Sequence, residues 1–148
     1  AVNALRLGLA LAPDREDLRE EHERLRAALA KELSATYEKQ ARYEEENGLW
    51  AAASRSWVKV ADGRATDARP LRRAAAAMLK AKNADLKEAK QLAQKSVDLE
   101  PRSARARLIL AQVFLAAGMQ ANAQRELEAA AKLDPRDEVV KTLLRELK

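Results

Sequence analysis

A period of 34 residues is the strongest constraint in this sequence, because self-similarity at a fixed spacing decides the architecture before any single element does. The stretch GMQANAQRELEAAAKLDP, Gly118 to Pro135, has the same layout as ADLKEAKQLAQKSVDLEP, Ala84 to Pro101, 34 residues upstream. Pro101 pairs with Pro135, Leu99 with Leu133, Ser96 with Ala130, Ala89 with Ala123, Ala84 with Gly118 and Ala77 with Ala111. Small residues stand opposite small ones. Antiparallel helices approach closely only where side chains are short, so alanine marks the crossing points while Leu110, Phe114 and Leu127 fill the space between them. Each proline forces the preceding Glu100 or Asp134 out of helical geometry and closes its unit.

Composition agrees with stacked helices. The 148 residues are 47% hydrophobic but only 3% aromatic, and four Gly and four Pro leave no punctuation for hairpins or a βαβ alternation. An all-α fold is expected. With no cysteine there is no disulfide framework or thiolate metal site, which is consistent with a reducing, cytoplasmic setting. The longest apolar run falls far short of the roughly 20 residues that span a bilayer. The sequence opens without Met inside a helix-like run, AVNALRLGLALAP, so it is expected to belong to a larger multidomain protein.

The unit 104–137 carries Leu110, Ala111 and Phe114 on a first helix, Gly118 at the turn, and Ala123, Leu127, Ala130 and Pro135 on and after a second. This pattern resembles the tetratricopeptide repeat family, whose unit is a 34-residue helix-turn-helix closed by proline. The resemblance implies a right-handed stack of antiparallel helix pairs. The unit 68–103 keeps Ala76, Ala77, Ala89, Ala93, Ser96 and Pro101, with Lys80 for the aromatic and Asn83-Ala84 for the glycine turn, so looser packing is expected there. Upstream, 34–67 has Gly48 as its turn, Ala41 on the first helix and Ala53, Trp57 and Val60 on the second. There Ala65 replaces the proline, and Ala68 and Arg69 read as two extra residues that would change the angle of the junction. Residues 1–13 mirror a second helix, with Ala1, Leu5, Gly8, Leu9, Leu11 and Pro13 matching Ala123, Leu127, Ala130, Ala131, Leu133 and Pro135. The tail 138–148 reads as a capping helix with Val140, Leu143, Leu144 and Leu147 inward.

Residues 16–33 add 18 residues free of Gly and Pro, about five turns at 3.6 residues each, which preserves the facing of everything that follows. One extended helix is therefore expected over about 14–47, followed by a second over about 49–61, the two forming a repeat at 14–67. Asp14, Glu16 and Asp17 suit its positive N-terminus, and Asn47-Gly48 suits a left-handed C-terminal cap. Leu18, Leu25, Leu29 and Leu33 form a narrow apolar stripe that needs a partner: residues 1–12, a second copy of the chain, or preceding repeats. Self-association through this stripe or the half repeat is one expectation.

The net charge of +5 is uneven, with eleven acids to seven bases in 14–47 and twelve bases to six acids in 62–107. Such a field steers an acidic partner, a nucleic acid or a second copy, and also arises from solvated helix faces alone. Catalysis has little to work with. His22, the only histidine, sits in the charged run REEHERLR, and Glu44, Glu45 and Glu46 are adjacent helical positions that do not converge. No enzyme activity, metal or cofactor is expected. Trp50, Trp57, Tyr37 and Tyr43 serve either as packing under the long helix or as a binding anchor. Arg64, Arg69, Arg72 and Arg73, with Arg102, Arg105 and Arg107, offer a basic ridge for phosphates, though without interleaved aromatics.

The family resemblance implies a partner-binding groove on the inner face of each first helix. At its positions the sequence has Ala35, Glu38, Arg42 and Glu45, then Leu71, Ala74, Met78 and Ala81, then Arg105, Leu108, Gln112 and Leu115. Leu71, Met78, Leu108 and Leu115 are expected to supply affinity to a protein or peptide, and the charges to set register. Family members that grip acidic tails of heat-shock chaperones use Lys, Asn and Arg at such positions. Ala74, Met78, Leu108 and Gln112 depart from that pattern, which counts against chaperone-tail binding. The long charged helix and YEKQARYEEENGLWAAASRSW are also similar to the C-terminal region of bacterial J-domain co-chaperones, an alternative to a free-standing scaffold.

Overall fold

The junctions between helix pairs show how local chemistry sets the architecture. Residues 64–67, 100–103 and 134–137 read RATD, EPRS and DPRD. Each ends in a residue whose side chain caps the next helix: Asp67 accepts from the Arg69 N–H, Ser103 from Ala106, and Asp137 from Val139 and Val140. These caps satisfy backbone donors that have no partner in the first helical turn. In the computed structural model, which describes residues 2–12 and 14–148, the result is eight helices and no strand among the described residues. They are α1 (Val2–Leu11), α2 (Glu16–Glu46), α3 (Trp50–Gly63), α4 (Ala68–Lys80), α5 (Leu86–Leu99), α6 (Ala104–Ala116), α7 (Gln120–Leu133) and α8 (Glu138–Glu146). The fold is the expected all-α stack of antiparallel pairs, with one extended helix and a closing helix. Ala1 and Pro13, part of the expected half repeat, lie outside the described residues.

The two extra residues are not where the sequence placed them. Ala68 and Arg69 open α4, just as Ala104 and Arg105 open α6, and the four-residue junctions have equal length. Helices α4 and α6, 13 residues each, start 36 apart, whereas α5 and α7 start 34 apart. The insertion therefore lies in the α4–α5 turn, where residues 81–85 do the work of 117–119. Gly48 (φ 70) and Gly118 (φ 74) take the left-handed conformation in the short turns, and Asn83 (φ 56) takes it in the long one. Lys80 consequently does not replace an aromatic. Met78 occupies the place of Phe114, and Lys80 ends α4 with its ammonium 4.3 Å from the centre of the Trp50 ring.

Each interface has its own core. Ala41, Ala53, Trp57, Val60, Ala74 and Ala77 join α2, α3 and α4. Ala75, Met78, Ala89, Ala93, Val97, Leu110, Val113, Phe114 and Ala123 join the next two pairs, and Leu127, Ala130 and Val140 seat α8. The 68–103 unit carries the longer turn, residues 81–85. There a depression of about 430 Å³ opens between Ser54, Arg55 and Val58 of α3 and the segment Ala81–Asp85.

Helix α2 is about 46 Å long at 1.5 Å per residue and outruns α3. The two cross where Gly63 meets the backbone of Ala30: a Cβ at Gly63 would lie 2.3 Å from the Ala30 carbonyl oxygen. No larger residue fits that approach. Beyond it, α2 is accompanied by α1, where Gly8 faces Leu18. Leu18, Leu25 and Leu33 are half-buried and Leu29 is exposed.

Candidate functional site

The first helices of the three pairs lie side by side and form the inner face. Arg69 and Arg73 of α4 reach Glu38 and Glu45 of α2, and α4 packs on α6. With the turn insertion placed correctly, the equivalent inner positions are Ala35, Glu38, Arg42 and Glu45 on α2; Arg69, Arg72, Ala76 and Leu79 on α4; and Arg105, Leu108, Gln112 and Leu115 on α6. The α2 and α6 sets are those anticipated from the sequence. The α4 set is displaced by two residues.

Burial shows the same displacement. Leu71 (5% exposed), Ala74 (0%) and Met78 (7%) are packed into the core and offer no surface to a partner, while Ala81 lies past the end of α4 in the turn. Arg69, Arg72, Ala76 and Leu79 are half-exposed, as are Leu108, Gln112 and Leu115. Of the four residues that depart from the chaperone-tail pattern, buried Ala74 and Met78 therefore drop out, and Leu108 and Gln112 remain. The signal that locates the insertion is in the sequence: the capping residues Asp67, Ser103 and Asp137 are spaced 36 and then 34 apart.

The electrostatics change along the face. On the α2 side, Glu38 gathers three arginines: Arg42 donates to it at 3.0 Å, Arg64 pairs at 2.6 Å and Arg69 at 3.0 Å. Burial pushes the Glu38 pKa up, but the hydrogen bonds from Arg42 and Arg64 and the charge of Arg69 outweigh it and hold the carboxyl at about 2. Glu45 accepts from the Trp57 indole at 2.7 Å and from the Arg73 guanidinium. Trp57 is fully buried, so its role is packing and not anchoring a partner; Trp50 is half-buried beneath Lys80. Further along, Arg69, Arg72, Arg73, Ala76, Arg105 and Ile109 enclose a concavity of about 330 Å³. The basic ridge proposed for nucleic acid is discontinuous: Arg64, Arg69 and Arg73 are bound to Glu38 and Glu45, and Arg107 is held by Glu126 and the Pro101 carbonyl.

Helix pairs in which each contacts chiefly its neighbours, presenting first helices on one face, define a helical-repeat solenoid. Residues 80–147 match the profile described as "Tetratricopeptide repeat", and the fold is similar to that of solved TPR domains. The Arabidopsis OM64 TPR domain superposes with a TM-score of 0.73 at 17% identity, covering 80% of this chain and 97% of that one. The second TPR domain of human RPAP3, solved in complex with the HSP70 peptide SGPTIEEVD, gives 0.71 at 16% identity, covering 79% and 97%. The TPR2AB domain of yeast Sti1, solved as a pHSP90 complex, gives 0.73 at 19% identity and covers 99% of this chain and 61% of that one. Comparison with curated proteins returned no match. No helix among the described residues is long and apolar enough to cross a membrane.

Proposed function

We propose that the chain is a non-catalytic protein-interaction module that holds a segment of a partner protein against the inner face formed by α2, α4 and α6. The observation that carries this reading is the alignment of half-exposed Leu79, Leu108 and Leu115 with the arginines of the same face. These leucines pack partly on the cores of adjoining pairs and stay half-exposed; the apolar surface left open provides burial for a ligand, and the flanking charges fix its register. The human RPAP3 and yeast Sti1 domains, solved with chaperone peptides, support the reading by analogy of fold. Because each helix pair is held by its neighbours, the face is already formed and binding orders little of the protein.

The test uses random peptides displayed on phage and panned against the 148-residue chain. Binders are expected whose retention is lost with Ala76→Glu combined with Leu108→Glu, while the helical circular dichroism and melting temperature stay unchanged. Retention indifferent to that pair would overturn the assignment of the inner face.

A further inference from the structure

The insertion in the α4–α5 turn builds a wall that the next repeat lacks. Successive second helices leave a depression between them, one of about 430 Å³ between α3 and the start of α5, and one of about 420 Å³ between α5 and the start of α7. The two are equivalent: Met78 lines the first as Phe114 lines the second, and Arg55 and Val58 stand where Gln91 and Gln94 stand in the next. Their walls differ. Of the turn residues 117–119 only Met119 lines the second, whereas all of residues 81–85 line the first. A further concavity of about 490 Å³, reaching Leu49, Trp50 and Lys80, shares Ala51, Arg55, Ala81 and Lys82 with the first. Arg55 and Lys82 therefore stand on a ridge, with Val58 and Met78 on one side and Leu49 and Trp50 on the other.

The charges of this ridge are uncommitted. Arg64 and Arg69 are neutralised by Glu38, and Arg73 by Glu45, but Arg55 and Lys82 are exposed and neither forms an ion pair among the described residues. The nearby carboxylates belong to α5: Asp85 is occupied in capping the Lys87 and Glu88 N–H groups, and Glu88 lines only the first depression. Toward Trp50 the lining residues include Lys80 and no acid. We propose that the ridge and its two flanking depressions dock a segment of a partner protein in which one acidic side chain stands between two apolar ones. Arg55 and Lys82 receive the acid through charge-assisted hydrogen bonds, and the apolar side chains enter the spaces beside Met78 and Trp50. The acid fixes the register and the burial supplies the affinity. A nucleic acid is the poorer fit, because a phosphate backbone brings no apolar side chain to either space. The surface lies on the outer layer formed by α3 and the α4–α5 turn, so it stands whether or not the inner face binds a ligand.

The experiment pans random peptides displayed on phage against the chain carrying Ala76→Glu and Leu108→Glu, which closes the inner face with charge. Enriched peptides are expected to carry an acid between two apolar residues. Synthesised and titrated, they should change the emission of half-buried Trp50, a signal that Trp50→Phe removes while fully buried Trp57 remains. Arg55→Glu and Lys82→Glu should each weaken binding about tenfold or more. Both positions are exposed, so unchanged melting temperatures are expected for these variants. No enriched peptide, enriched peptides without an acid, binding that leaves Trp50 emission unchanged, or affinities within twofold of the parent in both charge variants would overturn the site. Polyuridylate that displaces the peptide at equal charge concentration would assign the ridge to nucleic acid instead. A dimer in analytical ultracentrifugation that Arg55→Glu dissociates would assign it to a second copy of the chain, and either result overturns the proposal.

Discussion

The indole Nε1 of Trp57 donates a 2.7 Å hydrogen bond to the carboxylate of Glu45. The other carboxylate oxygen accepts from Arg73, whose guanidinium also lies 4.5 Å from the centre of the Trp57 ring. Three helices, α2, α3 and α4, are thus pinned through one fully buried side chain. Trp57→Ala is expected to cost about 3 to 5 kcal/mol, and Trp57→Phe, which keeps most of the volume but removes the donor, about 1 to 3 kcal/mol. Urea unfolding followed by circular dichroism measures both, and a Phe variant as stable as wild type would show that the hydrogen bond contributes nothing net.

Glu38 gives the fold an acid-sensitive seam. Its pKa is about 2 in the folded chain against an ordinary 4.5. A carboxyl whose folded value is depressed stabilises fully above the unfolded value and loses that contribution as pH falls through the folded one. The window therefore runs from about 4.5 down to about 2. Thermal melts should show Glu38→Gln less stable than wild type at pH 7, with the gap closing across this interval. A gap that stays constant to pH 2 would contradict the arginine pairing.

Gly63→Ala should destabilise the protein, because the added methyl would lie 2.3 Å from the Ala30 carbonyl oxygen and one helix must move. A cost of about 1 to 3 kcal/mol is expected for this overpacking. Amide exchange in α2 near Ala30 should accelerate, and unchanged exchange there would argue against the close crossing.

The two registers for α4 make opposite predictions for an introduced aromatic. Met78→Phe, at the position equivalent to Phe114, should be tolerated within about 1.5 kcal/mol, as volume-conserving core changes are. Met78→Glu buries an unpaired charge and should unfold the central pair. Lys80→Phe should gain no core packing, since Lys80 is exposed and only its contact with Trp50 is lost. A stabilising Lys80→Phe with a disruptive Met78→Phe would restore the uninterrupted 34-residue register.

Period and punctuation made the fold legible, because alanines at crossings, glycines at left-handed turns and prolines after helices report backbone requirements directly. The face named from the sequence keeps its register only where the period does. On α2 and α6 the named positions are exposed or half-exposed, but on α4 two inserted residues shift the register, and Leu71, Ala74 and Met78, named in place of Arg69, Arg72 and Ala76, are buried. Pro101 and Pro135 fix the period of second helices only; the turn that absorbed the insertion is polar and has no hydrophobic pattern to betray it. Asn83, which adopts the left-handed conformation more readily than most non-glycine residues, marked that turn without measuring its length. Gly63 escaped notice because the close approach it permits involves the backbone of a distant helix rather than any repeat partner.

The crossing of Gly63 on Ala30 also makes the front of α2 a lever. Ahead of that fulcrum about 21 Å of helix runs to Glu16, so a tilt of about ten degrees would carry its tip some 4 Å. Behind it, Glu38 and Glu45 are clamped to arginines of the next repeat. One helix therefore meets α1 ahead of the crossing and the next repeat behind it.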